Sequence, residues 1–311
     1  MRTVHDRRVR AMGSSAHVMV VGGSEALLDL AVERLADLEQ RWSRFLPTSE
    51  LSALNAAGGM PVLVSTDTAR LVADLCRAWL LTGGRFDPTV HDAMVATGYD
   101  RTFADLDGRN GSFARSSLAG PIGRGCADIH VDRRLGLVQL PDGGHLDGGG
   151  LGKGLAADLI AADLRRAGAA GVLVSVGGDL CVSGTPPDGT SAWRIDVEAP
   201  DDATEIIAQV VLTEGGVATS TSARRRWAAA DGSTRHHLLD PATGRSADVP
   251  RRQVTAVAGT AAWAEVAAKV TFLDGVVPDE HSTALVVDHH RRHTVLGDPR
   301  WFRFPAPDRA A

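Results

Sequence analysis

"HLDGGGLGKGLAADLI", residues 145–160, is a Gly-rich turn carrying one aspartate and one lysine. A Walker A loop needs Gly, four residues, then Gly-Lys-Ser/Thr. Gly152 and Lys153 are in place, but Asp147 stands at the first Gly position and Gly154 replaces the hydroxyl. The dinucleotide pattern G-x-G-x-x-G fails as well, since counting from Gly148 and Gly150 the third glycine falls on Lys153. Its glycines still admit backbone N–H groups close to an anion, and the helix that follows adds partial positive charge at its N-terminus. Lys153, in the first helical turn, opposes the helix dipole unless an anion sits there. Asp147 needs a donor such as a ribose or ring N–H, or else a metal. The plainer alternative is a tight turn whose glycines only let helix and strand pack.

Downstream, a helix is expected from about Leu151 to Ala167, closed by Gly168. "GVLVSVGGDL" follows as a buried strand ending in a second Gly-Gly turn, with Gly178 and Asp179 as ligand candidates against an ordinary hairpin turn. Further strands are read in "WRIDVEAP", "AQVVLTEGG" and "QVTAVAG", then a helix from Ala261 to Leu273 and a hairpin of "TALVVD" with "HTVLG". Upstream, "AHVMVVG" reads as a strand. Leu28, Ala31, Leu35, Leu38, Trp42 and Phe45 then form one helical stripe. "PTSELSALNAAGG" reads as a polar link, and a second helix runs from about Thr66 to Leu81, with Ser65 or Thr66 as its N-cap and Gly83-Gly84 as its stop. Residues 105–144 read as loops and short strands. Helices and strands mix without strict βαβ order, which predicts an α+β fold. A single domain is expected over 12–300, with 1–11 and 301–311 as terminal extensions.

The totals narrow the function. At 311 residues, 44% hydrophobic and 23% charged, the chain is globular. A formal net charge of -5 offers no basic field for nucleic acid, and the Arg clusters at 7–10, 224–226 and 251–252 read as solvated faces. Cys76, Cys126 and Cys181 are odd in number and lack metal-like spacing, which suits a reducing cytosol. Neither a signal-peptide pattern nor an 18-residue apolar run is read, so a cytoplasmic protein without a membrane span is expected.

Three other stretches carry possible chemistry. In "GGRFDPTV", Asp87 before Pro88 reads first as an Asx-Pro turn. In "HHLLDPATGRSA", His236 and His237 offer a proton acceptor near neutral pH. Glu265 and Lys269, four apart on a helix, read first as an ordinary ion pair. His289, His290 and His293 fall among arginines in a hairpin and read as surface.

Taken in order, "SRFLPTSELSALN", "GGRFDPTV", "LDGGGLGKGLAAD", "VSVGGDL", "VATSTS", "HHLLDPATGRSA" and "AEVAAKVTFLDG" resemble the ApbE-like FAD:protein FMN transferases, over roughly Met12 to Gly275. The resemblance implies a mixed-sheet α+β fold of two closely integrated lobes with the flavin nucleotide site between them. It implies FAD as substrate, magnesium, and transfer of FMN to a Thr or Ser of an acceptor flavoprotein with release of AMP. By motif position, Met12, Phe45, Arg85, Phe86, Asp87, Asp147, Lys153, Gly178, Asp179 and His237 match nucleotide contacts. Gly150, Glu265 and Lys269 fall at metal positions, and Lys153 and His237 are the catalytic candidates. Glu265 and Lys269 stand where the family usually has Asp and Thr. A protonated lysine ligates no magnesium, so its ammonium stands in for part of the cation. Two rival readings are an FAD-binding protein without transfer and an FAD pyrophosphatase giving FMN and AMP.

Overall fold

The computed structural model describes residues 2–106, 123–228 and 232–305. Residues 107–122, part of the Gly-rich middle, and those after 305 lie outside it. The apolar stripe of the first helix, α1 (Ala26–Trp42), turns inward, but Phe45 lies beyond its C-terminus. The expected polar link holds a helix, α2 (Glu50–Asn55), where the Ser49 hydroxyl accepts the Ser52 N–H and Leu51 and Leu54 are buried. α3 (Thr66–Leu81) begins at Ser65, whose hydroxyl accepts the Thr68 N–H. Two short helices follow, α4 (His91–Ala96) and α5 (Phe103–Leu106), then the long α6 (Gly152–Arg166) and α7 (Ala261–Asp274).

An eight-stranded sheet runs in chain order through Val4–Ala11, Ser14–Val21, Gly171–Val176, Asp179–Gly184, Gly215–Thr221, Arg251–Ala258, Thr283–Asp288 and His293–Leu296. The fold mixes helices with sheets as expected, while strand direction is antiparallel at every described pairing in this sheet. Alternation sorts its two faces. Val172 and Val174 face the helices α1 and α6, in one core with Leu35 and Ile160. Leu180, Val182 and Val257 face the small sheet that contains Trp193–Glu198 and Ile206–Leu212. A lesser lobe forms where α2 and α3 meet a three-stranded sheet, around Leu54, Val72, Val138 and Leu146.

The described residues of both segments expected as terminal extensions join the fold. Val4–Ala11 pairs residue for residue with the next strand as the sheet's edge. Edge strands bury little, so "VHDRRVRA" stays charged and imitates a solvated tail. Near the other end, Phe302 is buried and pairs with Val210.

Candidate functional site

Glycines build the site by close approach. A Cβ on Gly154 would overlap the carbonyl of Ala261, so the start of α6 lies directly against the start of α7. Asp158 locks the contact by accepting the N–H groups of Ala261 and Ala262 at 2.8 and 2.9 Å. The Walker-type hydroxyl is missing at position 154 because there is no room for a side chain. One turn earlier, Asp147 caps a 3-10 turn, Gly148–Gly150, by accepting the Gly149 N–H at 2.7 Å. A Cβ on Gly150 would come 2.8 Å from the Phe86 ring.

This packing brings four charges together under the loop. Lys153 Nζ pairs with Asp179 and lies 2.5 Å from Glu265 Oε1, which also accepts from Lys269 Nζ at 3.1 Å. Glu265 Oε2 accepts the Gly154 N–H at 3.0 Å, and only 1% of this residue is exposed. Burial pushes the Glu265 carboxyl up, but Lys153 and Lys269 outweigh it and hold it at about 2. For Lys153, burial is likewise outweighed, by Asp179 and Glu265, and its pKa is raised. Burial and the neighbouring Glu265 push the Asp179 carboxyl up.

Above this floor a cavity opens between the two lobes. Of the expected nucleotide contacts, Met12, Phe45, Arg85, Phe86, Asp87, Asp147, Lys153 and His237 line it, as do Gly150 and Lys269. Asp179 and Glu265 lie beneath the lining and reach the cavity only through the lysines. Gly178 is exposed in the turn after Val176, at φ +95°, and is not among the lining residues. Met12 sits at φ 51° beside Gly13 at φ 65°, the two-residue hairpin turn that joins the first two strands. Asp87 does form the Asx-Pro turn, accepting the Thr89 N–H at 2.8 Å. Arg85 is bracketed by Asp240 at 3.0 Å and Asp274 at 2.7 Å.

Two arginines were missed from sequence. Arg44 bonds the Tyr99 carbonyl at 2.7 Å, lies 3.2 Å from Asp147, and stacks 4.3 Å over the Phe45 ring. Only its adjacency to Phe45 signalled it. Arg225, in a cluster expected to be solvated, instead lines the cavity and donates to Ser14 Oγ at 2.7 Å. A positive φ of 50° turns it away from its exposed neighbours Arg224 and Arg226. The two adjacent histidines separate in role. His236 bonds the Ala247 carbonyl at 3.1 Å and stacks edge-on to Phe272. His237 lines the cavity with a buried Nδ1 that has no hydrogen-bond partner. Burial, with help from Arg225 and Lys269, lowers its pKa well below 6.5 and keeps it neutral at pH 7. The cavity thus offers fixed cations, stacking faces and a neutral imidazole.

The family model for the ApbE family matches residues 12–293. The chain belongs to the ApbE family. Among curated relatives, this family member is 30% identical to the FAD:protein FMN transferase of Salmonella typhimurium, over 82% of this chain and 74% of that protein. It is 29% identical to the enzyme of the same name from Klebsiella pneumoniae, with the same two coverages, 82% and 74%. The crystal structure of the ApbE protein from Thermotoga maritima superimposes with a TM-score of 0.78 at 25% identity, covering 94% of this chain and 97% of that one. Pseudomonas stutzeri flavinyl transferase ApbE shares the fold with a TM-score of 0.76 at 22% identity, over 95% of each chain.

Proposed function

We propose that this chain transfers FMN from FAD to a Thr or Ser hydroxyl of an acceptor flavoprotein, releasing AMP. The observation that carries the reading is the paired-lysine floor beneath a Gly turn and a helix N-terminus. A pyrophosphate laid there meets backbone N–H groups, Lys153, Lys269 and Arg225, while Phe45 and Tyr99 offer stacking faces to a ring. Phosphoryl transfer asks chiefly for positioning and charge neutralisation. The acceptor oxygen forms a bond to the FMN phosphorus, the P–O bond to AMP breaks, and the hydroxyl proton passes to the His237 imidazole. Because burial keeps His237 neutral, its lone pair is available at neutral pH.

The donor set at Gly150, Glu265 and Lys269 does not fit magnesium. Both Glu265 oxygens already accept hydrogen bonds, and position 269 brings an ammonium instead of an oxygen. Magnesium wants about six oxygen ligands in near-octahedral array. Lys269 therefore supplies a positive charge beside Glu265 where the family places a metal ligand. Among the described residues no helix is long and apolar enough to cross a membrane. The cytosol is proposed as the location on the three free cysteines.

Mass spectrometry tests the reading. The protein is incubated with FAD and an acceptor domain carrying a Ser/Thr-Gly-Ala-Thr type motif, and AMP is followed in the same tube. An FMN-sized adduct with matching AMP is expected. AMP without adduct across a set of acceptors would replace transfer by FAD hydrolysis, and bound FAD with neither product would leave a binding protein.

A further inference from the structure

Three side chains outside the floor converge in a way the flavin reading does not use. His91 and Asp92 open α4, and His145 lies two residues before Asp147. Backbone and side-chain bonds fix the second segment against the first and against α2. The Asp147 N–H donates to the Pro88 carbonyl at 2.8 Å, and Asn55 brackets Leu146 on both its N–H and its carbonyl at 2.8 and 2.9 Å. His91 Nδ1 then lies 3.0 Å, and His145 Nδ1 2.8 Å, from the same oxygen, Asp92 Oδ1. The two imidazole rings are 5.5 Å apart and inclined by 47°.

We propose that His91, Asp92 and His145 form a binding site for a divalent ion of the zinc, cobalt and nickel class, distinct from the nucleotide floor. Bonds of about 2.1 Å meeting at the octahedral angle of about 90° place ligand atoms about 3.0 Å apart, close to both separations, while the tetrahedral angle of zinc would place them about 3.4 Å apart. Two imidazoles and one carboxylate suit that class of ion, whereas magnesium and calcium prefer all-oxygen shells. His91 Nδ1 forms an ordinary hydrogen bond with Asp92 Oδ1 at 3.0 Å, but a shared proton accounts less well for His145. His145 Nδ1 is sealed from solvent and close to Asp92, yet it is misaligned for a hydrogen bond and has no other partner. An N–H···O bond is directional, whereas an ion between the atoms needs only their convergence. The side chains are 18%, 39% and 33% exposed, so the cluster lies near the surface although His145 Nδ1 itself is covered. An ion there ties α4, whose Met94 lines the cavity, to the segment entering the Gly turn.

The test uses the 311-residue chain and Co2+, read by its ligand-field absorption, with Zn2+ in competition against a chromophoric chelator. One Co2+ per chain, displaced by Zn2+, is expected. Loss of a direct ligand should weaken it at least as much as loss of an outer partner, about a hundredfold, in His145→Ala and in Asp92→Asn. His290→Ala, in the exposed hairpin, should bind like the wild type. Zn2+ should raise the melting temperature of the wild type and leave that of His145→Ala unchanged, which separates ion loss from misfolding. No ligand-field bands, or equal affinity in all four proteins, would overturn the site and leave a His–Asp–His hydrogen-bond cluster. The readout is the ion itself, so failure of the flavin reading leaves it intact.

Discussion

Lys153 and Arg85 are built alike and differ in their water. Each is a cation bracketed by two carboxylates, and each lines the cavity. The carboxylates of Lys153 have side chains 6% and 1% exposed, against 30% and 29% for those of Arg85. Solvent screens the second triad and offers its members an alternative partner. It does neither for the first, where a lost charge stays uncompensated. Burial, not the pairing itself, decides which triad the fold depends on.

Glu265→Gln should break the comparison most heavily. It leaves Lys153 with Asp179 alone and Lys269 without its carboxylate over a buried floor, and should cost about 3–5 kcal/mol in denaturant unfolding. The same carboxyl predicts a pH dependence. Its folded pKa of about 2 lies below the ordinary 4.5, so its stabilisation is present above the ordinary value and is lost as pH falls toward 2. Asp179, raised in the fold, works in the opposite direction and offsets part of this. Acid titration of stability should therefore be steeper in the wild type than in Glu265→Gln, and equal slopes would sink the assignment.

Lys153→Met comes next, with an expected fall of about a hundredfold in the rate of FMN transfer. An unchanged rate would remove Lys153 from the chemistry. Lys269→Thr should lower the rate about tenfold, the worth of one charged hydrogen bond, and omitting magnesium should leave the wild-type rate unchanged. A variant as fast as wild type would make the second ammonium dispensable. Asp274→Asn, in the exposed triad, should cost less than about 1 kcal/mol and matter less still at high salt. A loss as large as that of Glu265→Gln would void the contrast between the two triads.

The helices α1, α3 and α6 were legible because the apolar stripe of the first, the Ser65 cap and the Gly stops are local signals, and α7 was legible as a continuous apolar run buried on almost every side. The edge strand Val4–Ala11 and the helix α2 were not. One buries too little to show an apolar face, and the other turns on a two-residue stripe, Leu51 and Leu54, too short to stand out from a polar link. At the site, Asp147, Lys153 and His237 stood in recognisable motifs. Arg225 was hidden in an arginine run, since backbone conformation alone separates it from Arg224 and Arg226.

By itself the sequence determined the order of elements, the Gly turn with its lysine, and the ordered motifs shared with a family. Tertiary structure alone decided what the charges do. Glu265 and Lys269 make an ordinary helical pair until Gly154 lets α6 touch α7 and brings Lys153 and Asp179 against them. Lys153 and Glu265 are 112 residues apart in the chain, and neither carries a mark of the other. Exclusion of water turns their meeting into a site, and burial is a property of the packed chain.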